Sequence, residues 1–257
     1  ANMRKAMKIF SKTPAAVAAY FRCRKGKKII SPDKKLSFSE NFFKMMFGKV
    51  PDKEIVRAFD ISLILYAEHS FNVSTFTART ITSSLSDIHG AITGAIASLK
   101  GPLHGGANEA VMIMMKEIGK PEKAQAWIDN ALEKKKLIMG FGHRVYRTGD
   151  SRVPTMKHYL FKVAKILKKE KYTKIYEILA KNMIEKKNIH PNVDFPCGPL
   201  YYMMGIDIDF YTPIFVMSRI TGWSAHIMEQ HASNKLIRPL SKYKGEEVRK
   251  VMLLNHR

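Results

Sequence analysis

The sequence predicts an all-α protein, and three observations support this prediction. Apolar residues recur at helical spacing through long stretches, as Ile55, Phe59 and Leu63 do in segment 52–69. The strict alternation of apolar and polar residues that marks a half-buried strand is nearly absent. The chain has 257 residues, of which 46% are hydrophobic, and this is enough for a packed core in one large domain or two unequal ones.

The first predicted helix covers segment 52–69. It starts at Asp52 and has an acidic first turn, both of which are typical of a helix N-terminus. The next covers the stretch 82–100, where small residues such as Gly90 and Gly94 recur three or four positions apart. We expect this helix to pack closely on its neighbours, within the chain or across a subunit interface.

Further helices are predicted in the second half of the chain. One follows His104, over the run "GGANEAVMIMMKEIG", and Pro121 opens another over 121–136. Residues 154–188 supply one or two more, and 212–233 form a long one. Loop signals, where we expect functional residues, cluster at 101–106, 139–151, 190–199 and 237–245.

The charge balance is strongly basic, with 44 Lys and Arg against 22 Asp and Glu and a net charge of +22. Such a charge fits a nucleic-acid partner, an anionic substrate or a merely lysine-rich surface. In stretches such as 162–188 the lysines alternate with apolar residues, which is typical of a solvated helix face and not of a basic groove with stacking aromatic rings. We therefore expect no nucleic-acid partner, and a basic helical nucleic-acid-binding protein remains the non-enzymatic alternative.

Cys23 and Cys197 are the only cysteines, which argues against a disulfide scaffold and for a reducing compartment. No uncharged apolar run of about 18 residues occurs, so no membrane span is expected. The chain begins with Ala1, and we expect that a natural N-terminal part is missing, together with any targeting peptide. The expected location is the cytoplasm, or the mitochondrial matrix in a eukaryote.

The stretch "GPLHGGANEA" places His104 between Pro102 and a glycine pair, directly before a predicted helix. The positive end of a helix dipole disfavours the protonated form of an imidazole. We therefore expect a neutral histidine that can donate a hydrogen bond. The alternative is a histidine that only closes the loop.

A second candidate histidine, His143, lies in "GFGHRVYR", where Gly140 and Gly142 would let the backbone approach a ligand closely. The pattern is weaker than a dinucleotide-binding fingerprint because the preceding strand and the third glycine are absent. Arg147 and Arg152 could bind phosphates or carboxylates in a two-pronged way. The alternative for each is a solvent-exposed arginine.

Asp194 lies among apolar and ring residues in "NVDFPCGP". Partial desolvation would raise the pKa of this carboxyl group and make it a better base near neutrality, whereas the alternative is a turn aspartate. His69, taken alone, fits a capping or core histidine, and His226 and His231 fit structural roles. No metal site is expected because HExxH, CxxC and a tight His/Asp cluster are all missing.

Together, the stretches "GPLHGGANE", "MGFGHRVY", "NVDF" and "TPIFVMSRITGWSAHIMEQ" resemble the successive signature stretches of the citrate synthase family. The similarity extends almost to both ends of the chain. Two departures matter: Asp150-Ser151-Arg152 stands where most members have Asp-Pro-Arg, and Pro196-Cys197 where they have Tyr-Ser. Both variants are similar to those of the 2-methylcitrate synthase branch.

The resemblance implies a two-domain helical fold, with a large domain over 1–105 and 201–257 and a smaller, mobile one over 106–200. It implies an acyltransferase that condenses an acyl-CoA with oxaloacetate and hydrolyses the thioester, in a homodimer and with no resident cofactor. Propionyl-CoA is the favoured substrate, which would give 2-methylcitrate. Acetyl-CoA, dual specificity or an inactive family member are the alternatives.

The same resemblance assigns roles to individual residues. Asp194 is the expected base, His104 the donor to the thioester oxygen and His143 the donor to the keto oxygen of oxaloacetate. The expected oxaloacetate-binding residues are His69, Arg152, Arg219 and, from a partner subunit, Arg238. The expected CoA-binding residues are Gly140, Phe141 and Arg147.

Overall fold

The structure is a computed structural model that describes residues 2–146, 148–247 and 251–256. These residues form eleven α-helices, two short 3₁₀ helices and no strand, so the all-α prediction is confirmed. A single isolated bridge pairs Phe141 with Pro191. None of the helices in the described ranges is long and apolar enough to cross a membrane.

The α-helices are numbered in chain order. The first six are α1 (Asn2–Arg24), α2 (Phe38–Phe47), α3 (Lys53–Tyr66), α4 (Val73–Ser83), α5 (Ile88–Leu99) and α6 (Ala107–Ile118). The other five are α7 (Pro121–Glu133), α8 (Val153–Ile166), α9 (Lys171–Lys187), α10 (Asp194–Met203) and α11 (Tyr211–Ala232). The 3₁₀ helices cover Ile208–Phe210 and Leu254–His256.

Helix α11 lies at the centre of the fold and packs against α1, α3, α4, α5 and α6. Its buried residues, among them Ile214, Trp223 and Ile227, point in several directions around the helix axis. A helix that is buried on most of its circumference belongs to the core. The charged side chain of Arg219, near its middle, is therefore held in an apolar setting.

Side-chain caps fix where several helices begin. Asp52 accepts the backbone N–H of Glu54 at the start of α3, as predicted. Asp87 accepts the N–H of Gly90 at the start of α5. The predicted helix over 82–100 was therefore too long at its start, since this stretch includes the end of α4 and a turn before α5 begins.

The small residues of α5 allow it to lie close to α4. A Cβ atom at Gly94 would lie 2.2 Å from Cδ1 of Ile81 on α4. The predicted close packing is thus present, and at this position it occurs within the chain.

The predicted helices of the second half are present. Segments 121–136 and 212–233 correspond to α7 and α11, and 154–188 is divided into α8 and α9. In α9 the lysines are exposed whereas Ile175 and Leu179 are buried, which confirms a solvated lysine-rich face.

The predicted loop over 190–199 is present over 190–193 but was wrong from Asp194 onward, where helix α10 begins. Proline is tolerated in a first turn, where Pro196 lies, but is unfavourable further inside, where Pro199 lies. Packing against α6 and α8 compensates for this low propensity. Gly198 permits the close approach, since a Cβ atom there would lie 2.7 Å from the carbonyl oxygen of Asn108.

Candidate active site

One cleft of about 490 Å³ contains six of the predicted site residues. They are His69, His104, Gly140, Phe141, His143 and Asp194. These residues come from the segment after α3, the turn before α6, the loop before α8 and the start of α10. The fold thus brings together side chains that are distant in the sequence.

His104 lies in the turn that leads into α6, and its Nε2 contacts Ser74 at the start of α4. The Ser74 hydroxyl is 2.8 Å from Nε2, and the Ser74 backbone N–H donates to the same atom at 3.4 Å. Because a backbone N–H can only donate, Nε2 acts as an acceptor and the imidazole proton lies on Nδ1. His104 can therefore donate a hydrogen bond from Nδ1.

The pKa of His104 is lowered to about 4, first by burial and then by the positive charge of Arg219. The predicted neutral state is therefore supported, and burial, which the sequence did not suggest, is its first cause.

His143 is neutral in the same way, with its proton fixed on the other ring nitrogen. Its Nδ1 accepts the backbone N–H groups of Val145 at 3.0 Å and of Tyr146 at 3.3 Å. This arrangement leaves Nε2–H as the free donor. Burial lowers the pKa of His143 and outweighs the opposing charge of Asp150.

His69 faces His143 across the cleft, with ring centroids 5.0 Å apart in an edge-to-face arrangement. Its Nε2 is 3.1 Å from the hydroxyl of Tyr146. Burial, followed by the charge of Arg152, lowers the pKa of His69 to about 4. Three neutral imidazoles therefore line one cleft.

Backbone hydrogen bonds join the loop that carries His143 to the segment that precedes α10. The Gly142 N–H donates to the carbonyl of His190 at 2.8 Å, and the Asn192 N–H donates to that of Gly140 at 2.9 Å. The Asn192 amide donates to the carbonyl of Gly142 and accepts the N–H of Asp194. Asn192 therefore fixes the distance between the backbones that carry His143 and Asp194.

The two glycines of this loop also serve the fold itself. Both have positive φ angles, 85° for Gly140 and 76° for Gly142, which glycine adopts without strain. A Cβ atom at Gly140 would also lie 2.6 Å from Val111 and 2.9 Å from Phe195. The glycine thus lets the cleft wall pack onto α6 and α10.

Arg152 is held by a buried ion pair next to the cleft. Its Nε and Nη2 donate to the two carboxylate oxygens of Asp150 at 2.9 and 2.7 Å. Burial would raise the pKa of Asp150, but the hydrogen bonds and charge of Arg152 lower it below its ordinary value. The pair keeps a guanidinium in place beside His69.

Arg219 is a second guanidinium in this region and is more deeply buried than Arg152, at only 2% exposed. Its Nε donates to the carbonyl of Tyr66 at 2.6 Å, whereas its buried Nη1 lacks a hydrogen-bond partner among the described residues. Burial and the charge of Arg152 lower the pKa of Arg219 to about 10. Two adjacent buried cations with an unsatisfied donor favour an anionic ligand.

Asp194 begins α10, and its side chain reaches the cleft. The hydroxyl of Tyr66 donates to Oδ1 of Asp194 at 2.5 Å. Burial raises the pKa of this carboxyl group, against the lowering effects of Tyr66 and Arg152. The result is a carboxylate that is a stronger base than an exposed aspartate.

Of the other predicted residues, Arg152, Arg219 and Arg238 are not among those that line this cleft. Arg238 is exposed beyond the end of α11 and donates to the carbonyl of Pro239. Arg147 lies outside the described residues. His226 and His231 make structural contacts, His226 with Arg79 and Glu68, as expected.

The sequence did not single out several of the residues that hold this site. Tyr66 was missed although it lies near His69, on the buried face of α3. A hydroxyl on an apolar helix face, one turn before a candidate loop, is the signal that could have found it. The supporting roles of Asp150 and Asn192 were not predicted either.

A second cavity of the described chain lies apart from this site. A cavity of about 310 Å³ is lined by residues such as Phe10, Leu63 and Met217 and contains none of the predicted site residues. Among the described residues, no group of three or more His, Cys, Asp and Glu is placed to hold a metal ion.

Comparisons of the sequence and of the fold with known proteins identify the same family. The profile of the family described as "Citrate synthase, C-terminal domain" matches residues 1–240. The chain is 56% identical over 249 residues to a 2-methylcitrate synthase of Mycobacterium tuberculosis and 54% identical over 252 residues to a citrate synthase of Mycolicibacterium smegmatis. These alignments cover 97% and 98% of this chain but 63% and 67% of the two curated relatives.

Solved structures show the same similarity. The citrate synthase of Thermoplasma acidophilum, in a ternary complex with carboxymethyl coenzyme A and oxaloacetate, superposes with a TM-score of 0.90 at 36% identity, over 100% of this chain and 69% of that one. The citrate synthase of Thermotoga maritima superposes with a TM-score of 0.89 at 39% identity, over 98% of this chain and 70% of that one.

Proposed function

Because the chain belongs to the citrate synthase family, we propose that it condenses an acyl-CoA with oxaloacetate and hydrolyses the thioester to release CoA. One observation carries the proposal: a single cleft brings the base-like Asp194 together with the neutral His104 and His143, beside two buried arginines. That is the set of groups that this reaction requires.

The first step is removal of a proton from the acyl carbon next to the thioester carbonyl. Asp194 takes this proton, and the negative charge moves to the thioester oxygen. His104 donates to that oxygen from Nδ1. A preorganised donor of this kind lowers the barrier by about 3–4 kcal/mol.

In the second step the enolate carbon attacks the keto carbon of oxaloacetate. His143 donates a hydrogen bond from Nε2–H to the keto oxygen, and this oxygen becomes a hydroxyl by gaining the proton that Asp194 took from the acyl carbon. Arg152 and Arg219, with His69, bind the two carboxylates of oxaloacetate. Water then adds to the thioester carbonyl, and CoA leaves as the free thiol.

We propose that the site closes when a small domain, 106–200, moves against a large one made of 1–105 and 201–257. In this division His69 and Arg219 would lie in the large domain, whereas His143 and Asp194 would lie in the small one. Closure would bring these groups onto one substrate and exclude bulk water. Gly140 and Phe141 of the cleft wall, together with Arg147, would bind CoA.

Propionyl-CoA is the proposed acyl donor, with acetyl-CoA or dual specificity as the alternative. The variants Ser151 and Pro196-Cys197 favour propionyl-CoA, and Cys197 is buried close to Asp194. The two relatives with different names have nearly equal identities, so identity does not discriminate. One methylene in an apolar pocket changes specificity by about 10–200-fold.

We further propose a homodimer in the cytoplasm, without a resident cofactor. Arg238 is exposed in this chain, which fits a residue that completes the site of a partner subunit. Cys23 and Cys197 are both free thiols, which fits a reducing compartment.

The test is release of CoA thiol from propionyl-CoA and from acetyl-CoA, each with and without oxaloacetate. We expect release that depends on oxaloacetate, with the higher kcat/KM for propionyl-CoA. Absence of release from both thioesters would contradict the proposed reaction and favour an inactive family member. Tight, salt-sensitive DNA or RNA binding in shift assays would favour the non-enzymatic alternative.

A further inference from the structure

Tyr66 has no part in the reaction derived above, although its hydroxyl contacts the proposed base. We propose that Tyr66 is a positioning residue, whose hydroxyl holds Oδ1 of Asp194 so that Oδ2 faces the acyl carbon and takes its proton. This inference rests on the proposed function of Asp194. Among the described residues, Oδ2 receives no hydrogen bond, which leaves it free for the substrate.

The backbone and ring of Tyr66 are fixed, so the hydroxyl has little freedom to leave Asp194. Tyr66 is the last residue of α3 and is only 1% exposed. Its carbonyl accepts Nε–H of Arg219 at 2.6 Å, and its ring lies 4.3 Å from that of Phe215. The residue thus joins the anion-binding arginine and the base in one rigid unit.

The direction of the hydrogen bond follows from proton counts. A phenol has one proton, and an ionised carboxylate can only accept, so Tyr66 donates to Asp194. Burial raises the pKa of the neighbouring Cys197 thiol to about 12, which keeps it protonated. The thiol therefore adds no negative charge beside Tyr66 and Asp194.

The charged and titratable groups that act on Asp194 come from four other parts of the fold. They are Tyr66 on α3, Asp150 in the loop before α8, Arg152 at the start of α8, and Arg219 on α11. Tyr66 and the two arginines lower the pKa of Asp194, whereas Asp150 raises it. Removing the Tyr66 hydroxyl leaves the other charges in place and should raise the pKa of Asp194.

The test uses Tyr66→Phe, which keeps the ring and removes the hydroxyl. We expect the acidic limb of the kcat/KM profile to move up by about 1–2 pH units, because a hydrogen bond to the charged carboxylate is lost. We also expect kcat to fall by about 10–100-fold, with little change in KM for oxaloacetate. A merely structural role of Tyr66 would not move the pH profile.

The matched control is Tyr201→Phe. Tyr201 is also a fully buried tyrosine, but its hydroxyl contacts Ser62 and Cys197 and does not touch Asp194. This variant should keep the position of the acidic limb. Equal shifts in both variants, or no shift in Tyr66→Phe, would overturn the proposal.

A titration without substrate separates this inference from the proposed function. The carboxyl signal of Asp194, labelled with ¹³C and assigned by its loss in Asp194→Asn, should titrate at higher pH in Tyr66→Phe than in the wild type. A shift in a protein that releases no CoA would support the contact and contradict the reaction. An unchanged titration would overturn the inference whatever the activity.

A measurement on wild-type Tyr66 keeps the inference testable if Tyr66→Phe does not fold. A strong phenol–carboxylate hydrogen bond should give a low-field hydroxyl resonance in the proton NMR spectrum. Asp194→Asn replaces the charged acceptor with a neutral one and should move this resonance upfield. A resonance that is absent, or unchanged by Asp194→Asn, would overturn the inference.

Discussion

Oδ2 of Asp150 accepts the backbone N–H of Val193 at 3.0 Å, while the same carboxylate binds Arg152 through both of its oxygens. Val193 directly precedes Asp194. A single buried carboxylate therefore fixes an arginine proposed to bind oxaloacetate and the start of the helix that carries the proposed base. The proposed substrate-binding group and the proposed base thus depend on the same side chain, that of Asp150.

Replacing this carboxylate should destabilise the protein at neutral pH. Asp150→Asn leaves Arg152 as an unpaired, largely buried charge and should lower the free energy of unfolding by about 3 kcal/mol. The pKa of folded Asp150 is below its ordinary value, so its contribution is present at neutral pH and is lost as the pH falls below about 4. Urea unfolding of the wild type and of Asp150→Asn at pH 7 and pH 3 measures this loss of unfolding free energy. A loss of equal size at both pH values would contradict the prediction.

Asp194→Asn should abolish turnover while leaving oxaloacetate binding largely intact. The amide cannot take the acyl proton, and loss of a general base costs about 100-fold or more in kcat. The amide oxygen still accepts the hydroxyl of Tyr66, so the fold around it should persist. Steady-state kinetics and calorimetric titration of oxaloacetate check both parts, and a near-normal kcat would mean that the base is misassigned.

Arg219→Ala should mainly weaken the binding of oxaloacetate. The variant loses a buried cation whose Nη1 has no protein partner among the described residues, and a charge-assisted hydrogen bond contributes about 10–100-fold to affinity. The matched control is Arg57→Ala, which removes an exposed arginine on α3. If the affinity of Arg219→Ala equals that of the control, Arg219 has no role in binding.

The stability of the protein should decrease between pH 6.5 and pH 4 in part because His104 is buried in its neutral form. The pKa of folded His104 is about 4, against an ordinary value of about 6.5, so the unfolded chain binds more protons in this range. This proton contributes a slope of about 1.4 kcal/mol per pH unit to the free energy of unfolding. In His104→Gln, the slope of the unfolding free energy against pH should be smaller by this amount. A slope equal to that of the wild type would show that His104 titrates normally.

Local signals predicted the helices well where apolar periodicity and caps agree, as at Asp52 and α3. They failed at α10, because Pro196, Gly198 and Pro199 are typical of a loop and only the packing against α6 and α8 stabilises a helix there. Tertiary contacts between distant segments override such propensities, and one sequence does not reveal them.

The candidate site was predicted by side-chain chemistry and family resemblance, and its supporting contacts were not. The hydrogen bond from Tyr66 to Asp194 joins residues 128 positions apart, and nothing in the local sequence indicates it. The same holds for the contact between Ser74 and His104, which sets the position of the imidazole proton. Residue types indicate which chemistry is available, whereas the fold decides which groups meet.

The most direct measurement is a crystal structure of this protein with oxaloacetate and carboxymethyl-CoA. The account predicts that both ligands occupy the cleft. Nδ1 of His104 and the carboxylate of Asp194 should face the carboxymethyl group, and Nε2 of His143 should lie within about 3 Å of the keto oxygen. Ligands bound elsewhere, or an Asp194 side chain turned away from the carboxymethyl carbon, would contradict it.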